Sequence, residues 1–164
     1  MRANDPKGET AAAAAPRTFL HSIRVPYADS DQMGMVYYAN YLVYFEMARS
    51  AMLREVGTPY GEIEKRGILL PVVEAHCHYL RPARFDDLLE IRTRCSHARG
   101  IRLRMDYEVW RAEAGDGSTA GAAGSPGGAD PNLLVTGYTE HVCLSPDGKV
   151  RRLAPELLRL AWAG

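Results

Sequence analysis

Apolar and polar residues alternate from Thr18 to Tyr27, with Phe19, Ile23 and Val25 among polar neighbours, until the turn-rich Ala28-Asp29-Ser30-Asp31. A period of two marks a half-buried strand. From Asn40 to about Val56 the period changes: Tyr41, Leu42, Tyr44, Phe45, Ala48, Ala51, Met52 and Val56 recur at steps of three and four. That spacing predicts a helix, which Gly57 and Pro59 stop. Four mostly alternating runs follow, Leu69 to Leu80, Leu88 to His97, Ile101 to Trp110 and Leu133 to Leu144, and each predicts a strand. Short turns such as Ala98-Arg99-Gly100 favour antiparallel pairing, so the expected class is α+β, one antiparallel sheet with one long helix on it. Only Glu46, Arg49, Arg54 and Glu55 markedly interrupt the helix's apolar circumference, so the sheet is expected to wrap it. Leu157, Leu158, Leu160 and Ala161 give Pro155 to Trp162 a helical spacing suited to capping an edge or a subunit contact.

Two stretches lack any period. Residues 1–17 contain no large apolar residue after Met1 and are expected to be a disordered tail ahead of a single domain spanning 18–164. Residues 115–131 are nearly all Gly, Ala, Ser, Asp and Pro, the composition of a long flexible hairpin loop. The 164 residues, 46% hydrophobic, suit one core. Lys plus Arg equals Asp plus Glu at 20 each, which leaves no overall field to recruit nucleic acid or an anionic membrane, so an anion site must be local. Cys77, Cys95 and Cys143 are widely spaced in apolar strands and read as reduced core thiols, not zinc ligands. No run reaches the ~18–20 apolar residues of a membrane span, and Ala11 to Ala15 is too short for a signal-peptide core. A cytoplasmic protein is expected.

The chemistry concentrates between Tyr27 and Tyr41, where a strand ends, Asp29 and Asp31 follow, Gly34 permits a tight turn, and the helix begins. A helix entry offers free backbone N–H groups and partial positive charge, both suited to an oxyanion. Aspartates before a helix are ordinarily turn and cap residues. This loop, however, also carries Met33, Met35, Val36 and Tyr37, far more apolar surface than a solvated turn needs.

The same segment resembles the signature of the 4-hydroxybenzoyl-CoA thioesterase family of hot-dog proteins, particularly its general acyl-CoA thioesterase branch. The resemblance rests on Asp29-Ser30-Asp31, Gly34, Val36-Tyr37-Tyr38, Asn40-Tyr41-Leu42, Tyr44-Phe45-Glu46 and Ala48-Arg49, then on Tyr79-Leu80-Arg81-Pro82-Ala83-Arg84-Phe85-Asp86-Asp87-Leu88. It implies a hot-dog fold, a β-α-β-β-β-β chain whose sheet wraps the long helix, assembled as a homodimer or homotetramer with sites at the subunit interface. It implies hydrolysis of acyl-CoA to free acid and CoA without metal or other cofactor. By position Asp31 matches the catalytic carboxylate, as nucleophile or as general base, and the Tyr38 N–H matches the donor that polarises the thioester carbonyl; Asp29 is expected to brace the loop. Arg99, Arg102, Arg151 and Arg152 fall where relatives contact the nucleotide of CoA.

Three alternatives stand beside this reading. Glu46 matches a branch whose carboxylate lies on the helix, although Arg49 three residues later favours a local ion pair. His76 and His78 share one strand face, but without a third ligand they, like His141, read as hydrogen-bonded sheet residues. A non-catalytic hot-dog module binding acyl-CoA or a protein would have no need of Asp31. Chain-length preference would depend on Met33, Met35, Met47 and Met52, whose facing the pattern leaves open.

Overall fold

The computed structural model describes residues 17–112 and 130–161. The expected tail, all but residue 17, and the expected loop over 115–129 lie outside them, as does Trp162. Strand β1 is Phe19–Arg24, followed by helix α1 (Asn40–Glu55), short helix α2 (Tyr60–Lys65), β2 (Val72–Tyr79), β3 (Leu88–Arg99), β4 (Arg102–Arg111), β5 (Leu133–Val142) and a closing turn of helix, α3 (Pro155–Leu158). All strand pairs are antiparallel, in the order β1-β3-β4-β5-β2. Helix α2 is absent from the sequence expectation because six residues with one buried apolar side chain, Ile63, display no period. Pro59 stands at its N-cap, where its missing N–H costs nothing, so the proline that bars α1 from continuing also opens the second helix. Strand β2 starts after Pro71, and Leu69 reaches the sheet only through an isolated bridge to Leu144.

Alternation turns Leu89, Ile91, Thr93 and Cys95 of β3, Leu103, Met105, Tyr107 and Val109 of β4, and Val135, Thr139 and His141 of β5 toward α1. A bulge between Cys95 and His97 then shifts the inward position to Ala98. From α1, Tyr41, Tyr44, Phe45, Ala48, Met52 and Leu53 meet this face. Phe45 is fully buried and lies flat on Tyr107, ring centroids 4.3 Å apart and planes at 4°. Such burial contributes about 2–3 kcal/mol. The opposite strand position at that point is Gly137, where an added Cβ would stand 2.3 Å from the His76 carbonyl oxygen and 2.7 Å from Phe45 Cε2.

The expected wrapping of α1 is incomplete within one chain. Leu42, Val43 and Met47 remain exposed at 40%, 53% and 39%, and edge strand β2 is open along nearly its whole length. The reason is the strand order: α1 packs mainly on β1 and β3, leaving β2 at the far edge. The outer sheet face is polar, with Arg92 over Trp110 and Arg104 over Tyr138. His76 and His78 lie on that face, and His76 is held by stacking on Tyr138 (5.3 Å, 14°) instead of the expected hydrogen bond. The three cysteines are free thiols; burial pushes Cys95 up to about 12, so it stays protonated. Among the described residues no helix is long and apolar enough to cross a membrane.

One polar chain crosses the core. The expected Glu46–Arg49 pair does not form: Glu46 accepts from Ser50 Oγ at 2.7 Å, while Arg49 turns inward and its Nη1 reaches His141 Nε2 at 3.3 Å. His141 Nδ1 meets the Leu70 carbonyl at 3.0 Å, and Thr139 Oγ1 links His141 Nε2 (2.9 Å) to the Tyr107 hydroxyl (3.0 Å). Burial lowers the His141 pKa most, the Leu70 bond opposes it, and Arg49 lowers it further, to about 4. His141 is therefore a neutral acceptor for Arg49 at neutral pH, with its proton on Nδ1.

Gly137→Ala is expected to cost roughly 1–3 kcal/mol through overpacking, read as a lower urea midpoint at unchanged slope. An unfolded chain protonates His141 near pH 6.5 and the folded chain only near 4, so stability is lost as pH falls through that window. The loss is about 3 kcal/mol for this group, and unfolding curves from pH 7 to 4 should fall less steeply for His141→Gln.

Candidate active site

After β1, Pro26 opens a single 3-10 turn, Tyr27–Asp29, because its fixed φ suits the start of a helical turn. The chain then reverses on itself: Ser30 bridges Val36, the Asp31 N–H donates to the Met35 carbonyl at 2.8 Å, and the Gly34 N–H donates to the Asp31 carbonyl at 3.0 Å. Gly34 has φ +71°, which a side chain would strain. One oxygen of Asp31, Oδ1, accepts the Met33 N–H at 2.8 Å and so closes the turn in the manner common to aspartate. The other, Oδ2, has no hydrogen-bond partner among the described residues, and the residue is half-buried.

Asp29 does a different job. Its Oδ2 accepts the Tyr44 hydroxyl at 2.6 Å, and its carbonyl accepts both the Tyr37 N–H (2.8 Å) and Asn40 Nδ2 (3.1 Å). Burial, then the bond to Asp29, raises the Tyr44 phenol far above its ordinary value, which keeps it a donor. Two of these bonds, from Tyr44 and Asn40, fasten Asp29 to α1, and the third, from Tyr37, ties it within the loop.

At the helix start Ala39 is the N-cap and provides no capping side chain. The Asn40 N–H bonds the Tyr37 carbonyl and the Leu42 N–H bonds the Ala39 carbonyl, but the Tyr38 N–H donates to nothing among the described residues. It stands one residue before the N-cap, beside the orphan donors that a helix entry leaves. The Tyr37 and Tyr38 rings stand 4.5 Å apart. Contact with Tyr38, and more weakly the charge of Asp31, raises the Tyr37 phenol above its ordinary value, so Asp31 is within electrostatic reach of this pair.

The segment from Tyr79 to Asp87 closes over the loop, a role that sequence reasoning had not assigned it. The Tyr79 hydroxyl donates to the Tyr38 carbonyl at 3.1 Å, the Val36 N–H donates to the Ala83 carbonyl at 2.9 Å, and Arg84 Nη1 donates to the Gly34 carbonyl at 3.1 Å. The Ala83 N–H in turn donates to the Tyr41 hydroxyl on α1 at 3.2 Å.

Three of the four arginines singled out from the sequence converge. Arg99, Arg102 and Arg152 line one groove of about 620 Å³ with His97, Gly100 and Ile101. Backbone pairing brings Arg152 there, because the Leu153 N–H bonds the Gly100 carbonyl at 2.8 Å. Arg102 lies 3.4 Å from Glu140, whereas the guanidinium groups of Arg99 and Arg152 have no partner among the described residues. Arg151 is the exception: it turns away to donate to the Gly67 carbonyl at 2.8 Å. The groove is at the Arg99 end of β3 and the Asp31 loop at the Leu88 end, where the Val25 N–H bonds the Asp87 carbonyl. Twelve strand residues separate the two by roughly 35–40 Å.

Comparison with known proteins agrees with this architecture. Residues 33–118 match the model of the thioesterase superfamily. A proposed acyl-CoA thioesterase of Bacillus subtilis, YneP, is 36% identical over 76% of this chain and 78% of its own. The acyl-CoA thioester hydrolase YbgC of Escherichia coli O6:H1 is 35% identical over 58% of this chain and 71% of its own. Among solved structures, the 1,4-dihydroxy-2-naphthoyl-CoA thioesterase Slr0204 of Synechocystis superposes with a TM-score of 0.73 at 26% identity, covering 88% of this chain and 96% of that one. The five-stranded antiparallel sheet under its long helix, the family match and these relatives together make the chain a member of the thioesterase superfamily with the hot-dog fold.

Proposed function

We propose that the chain hydrolyses acyl-CoA thioesters, with Asp31 as the catalytic carboxylate and the Tyr38 N–H as the donor to the thioester carbonyl. The observation that carries this reading is that one braced loop holds both a carboxylate oxygen and an N–H next to a helix entry that have no partner among the described residues. The relatives' assignments to acyl-CoA hydrolysis support the substrate class. Negative charge developing on the carbonyl oxygen meets the Tyr38 N–H and the positive end of α1, a contribution of about 3–4 kcal/mol for a well-placed donor. Asp31 Oδ2 either attacks the carbonyl carbon, expelling the CoA thiolate and leaving a mixed anhydride for water, or removes a proton from the water that attacks. Neither route calls for a metal or other cofactor. Glu46, exposed on α1 and occupied by Ser50, is the weaker candidate.

The arginine groove supports a nucleotide site, since guanidinium forks bind phosphate oxygens. It is too distant from the Asp31 loop of its own chain for one extended CoA to serve both comfortably, so a second copy is proposed to bring its groove to the first copy's loop. The open β2 edge and the exposed Leu42, Val43 and Met47 are the apolar surface such a homodimer would cover. A homotetramer would be built from two of these pairs.

Asp31→Asn retains the acceptor for the Met33 N–H and removes the charge; thiol release from a panel of acyl-CoAs should fall about 10²–10⁴-fold. Full activity in that variant would remove Asp31 as the catalytic carboxylate, and no hydrolysis by the wild type would leave a non-catalytic acyl-CoA-binding module as the better description. Arg99→Ala with Arg152→Ala should raise KM for acyl-CoA about tenfold with little change in kcat. Refolding this variant together with Asp31→Asn should restore one wild-type site per mixed dimer; no gain over the separate variants at low substrate would rule out the shared site.

A further inference from the structure

The first turn of α1 begins at the Ala39 carbonyl, one residue after Tyr38. Were the helix to start one residue earlier, the Tyr38 carbonyl would receive the N–H of Leu42, four residues on. Here the Leu42 N–H goes to the Ala39 carbonyl at 3.1 Å, a tighter three-residue turn, and the Tyr38 carbonyl receives no backbone donor among the described residues. Its partner is the Tyr79 hydroxyl, 3.1 Å away on β2, a strand that joins α1 only in space. The Tyr38 N–H and carbonyl belong to successive peptide planes joined at one Cα, and the Tyr79 hydroxyl holds the second of these planes.

Tyr79 is itself held. Its Cα pairs with Val135 across the sheet, and its ring stands 5.6 Å from that of Tyr41. Tyr41 is buried, and its hydroxyl accepts the Ala83 N–H, whose carbonyl grips Val36 of the site loop. Partial burial, followed by the Cys77 thiol, pushes Tyr79 up to about 12, so the phenol remains a donor through neutral pH. A phenyl ring would keep the packing of this side chain and lose the bond to the Tyr38 carbonyl on the exposed rim and the contact with the Cys77 thiol.

We infer that Tyr79 is a positioning residue for thioester hydrolysis: by holding the Tyr38 carbonyl outside the helical ladder, its hydroxyl aims the Tyr38 N–H at the substrate carbonyl. The inference rests on the function proposed above for Tyr38. Without the hydroxyl, the Tyr38 carbonyl is free to take the Leu42 N–H, the first turn relaxes toward regular helix, and the N–H swings from its aim. The ground-state thioester loses little, since its carbonyl oxygen is a weak acceptor. The developing oxyanion loses most of the donor.

The test is Tyr79→Phe, compared with the wild type and Asp31→Asn on one acyl-CoA. The expected result is a fall in kcat of about tenfold, with KM within about twofold and a melting midpoint within about 3 °C of the wild type. The acidic limb of the kcat profile should stay where it is, because Asp31 is untouched. The Tyr38 and Ala39 amide resonances should move in Tyr79→Phe. Wild-type kcat would overturn the inference, as would a loss of kcat matched by a rise in KM or by a lower midpoint, since the hydroxyl would then be structural. If Asp31→Asn kept full activity, the proposed mechanism would fail instead, whatever Tyr79→Phe did.

Discussion

Phe45 lying flat on Tyr107 sets the height of α1 above the sheet, and the rest of the molecule follows from it. The two rings can stack at 4.3 Å only because β5 places Gly137 beside them, where any Cβ would collide with Phe45 and with the backbone of β2. Close approach also brings Arg49 down to His141 and Tyr44 down to Asp29, so two polar contacts lock the rotation of a helix whose apolar stripe alone would permit it to roll. A helix fixed in height and rotation presents its first turn at one place on the sheet's end.

That end is where the chain concentrates its constraints. Asp29 ties the loop to α1 from below, and the segment Tyr79–Arg84 ties it to β2 from above, at Gly34, Val36 and Tyr38. Between these braces one Asp31 oxygen and the Tyr38 N–H are left without partners among the described residues. Polar groups left open in a braced loop are available for a ligand to complete. In the proposed reaction the completing group is the thioester carbonyl and its oxyanion.

The strand order determines what one chain lacks. With β2 at the edge, its backbone stays open to pairing and Leu42, Val43 and Met47 of α1 stay exposed, while the arginine groove opens at the far end of β3. A chain neutral overall thus gathers Arg99, Arg102 and Arg152 in one small region suited to phosphate. The proposed second copy would cover the open strand and these α1 side chains and join the two ends.

Much of this was legible in the residues. Alternation and the three-to-four spacing marked all five strands and α1 because each long element buries one face, and burial writes its period into sequence. Asp29, Asp31 and Gly34 announced a turn before a helix, and the family block carried Asp31 and Tyr38 to the same loop. Helix α2 was illegible, since Ile63 alone carries its burial, and the Glu46–Arg49 pairing misled because spacing along a helix is blind to His141 across the core. Residues with local partners could be read along the chain. The bond from Tyr79 to Tyr38 spans 41 positions, the Gly100 to Leu153 pairing that gathers the arginines spans the sheet's end, and Gly137 answers to Phe45 from another element. Sequence by itself determined the elements and the candidate carboxylate, because local periodicity and turn chemistry suffice for them; only the tertiary structure decided what braces that carboxylate and which arginines meet, because those contacts join elements that share no period.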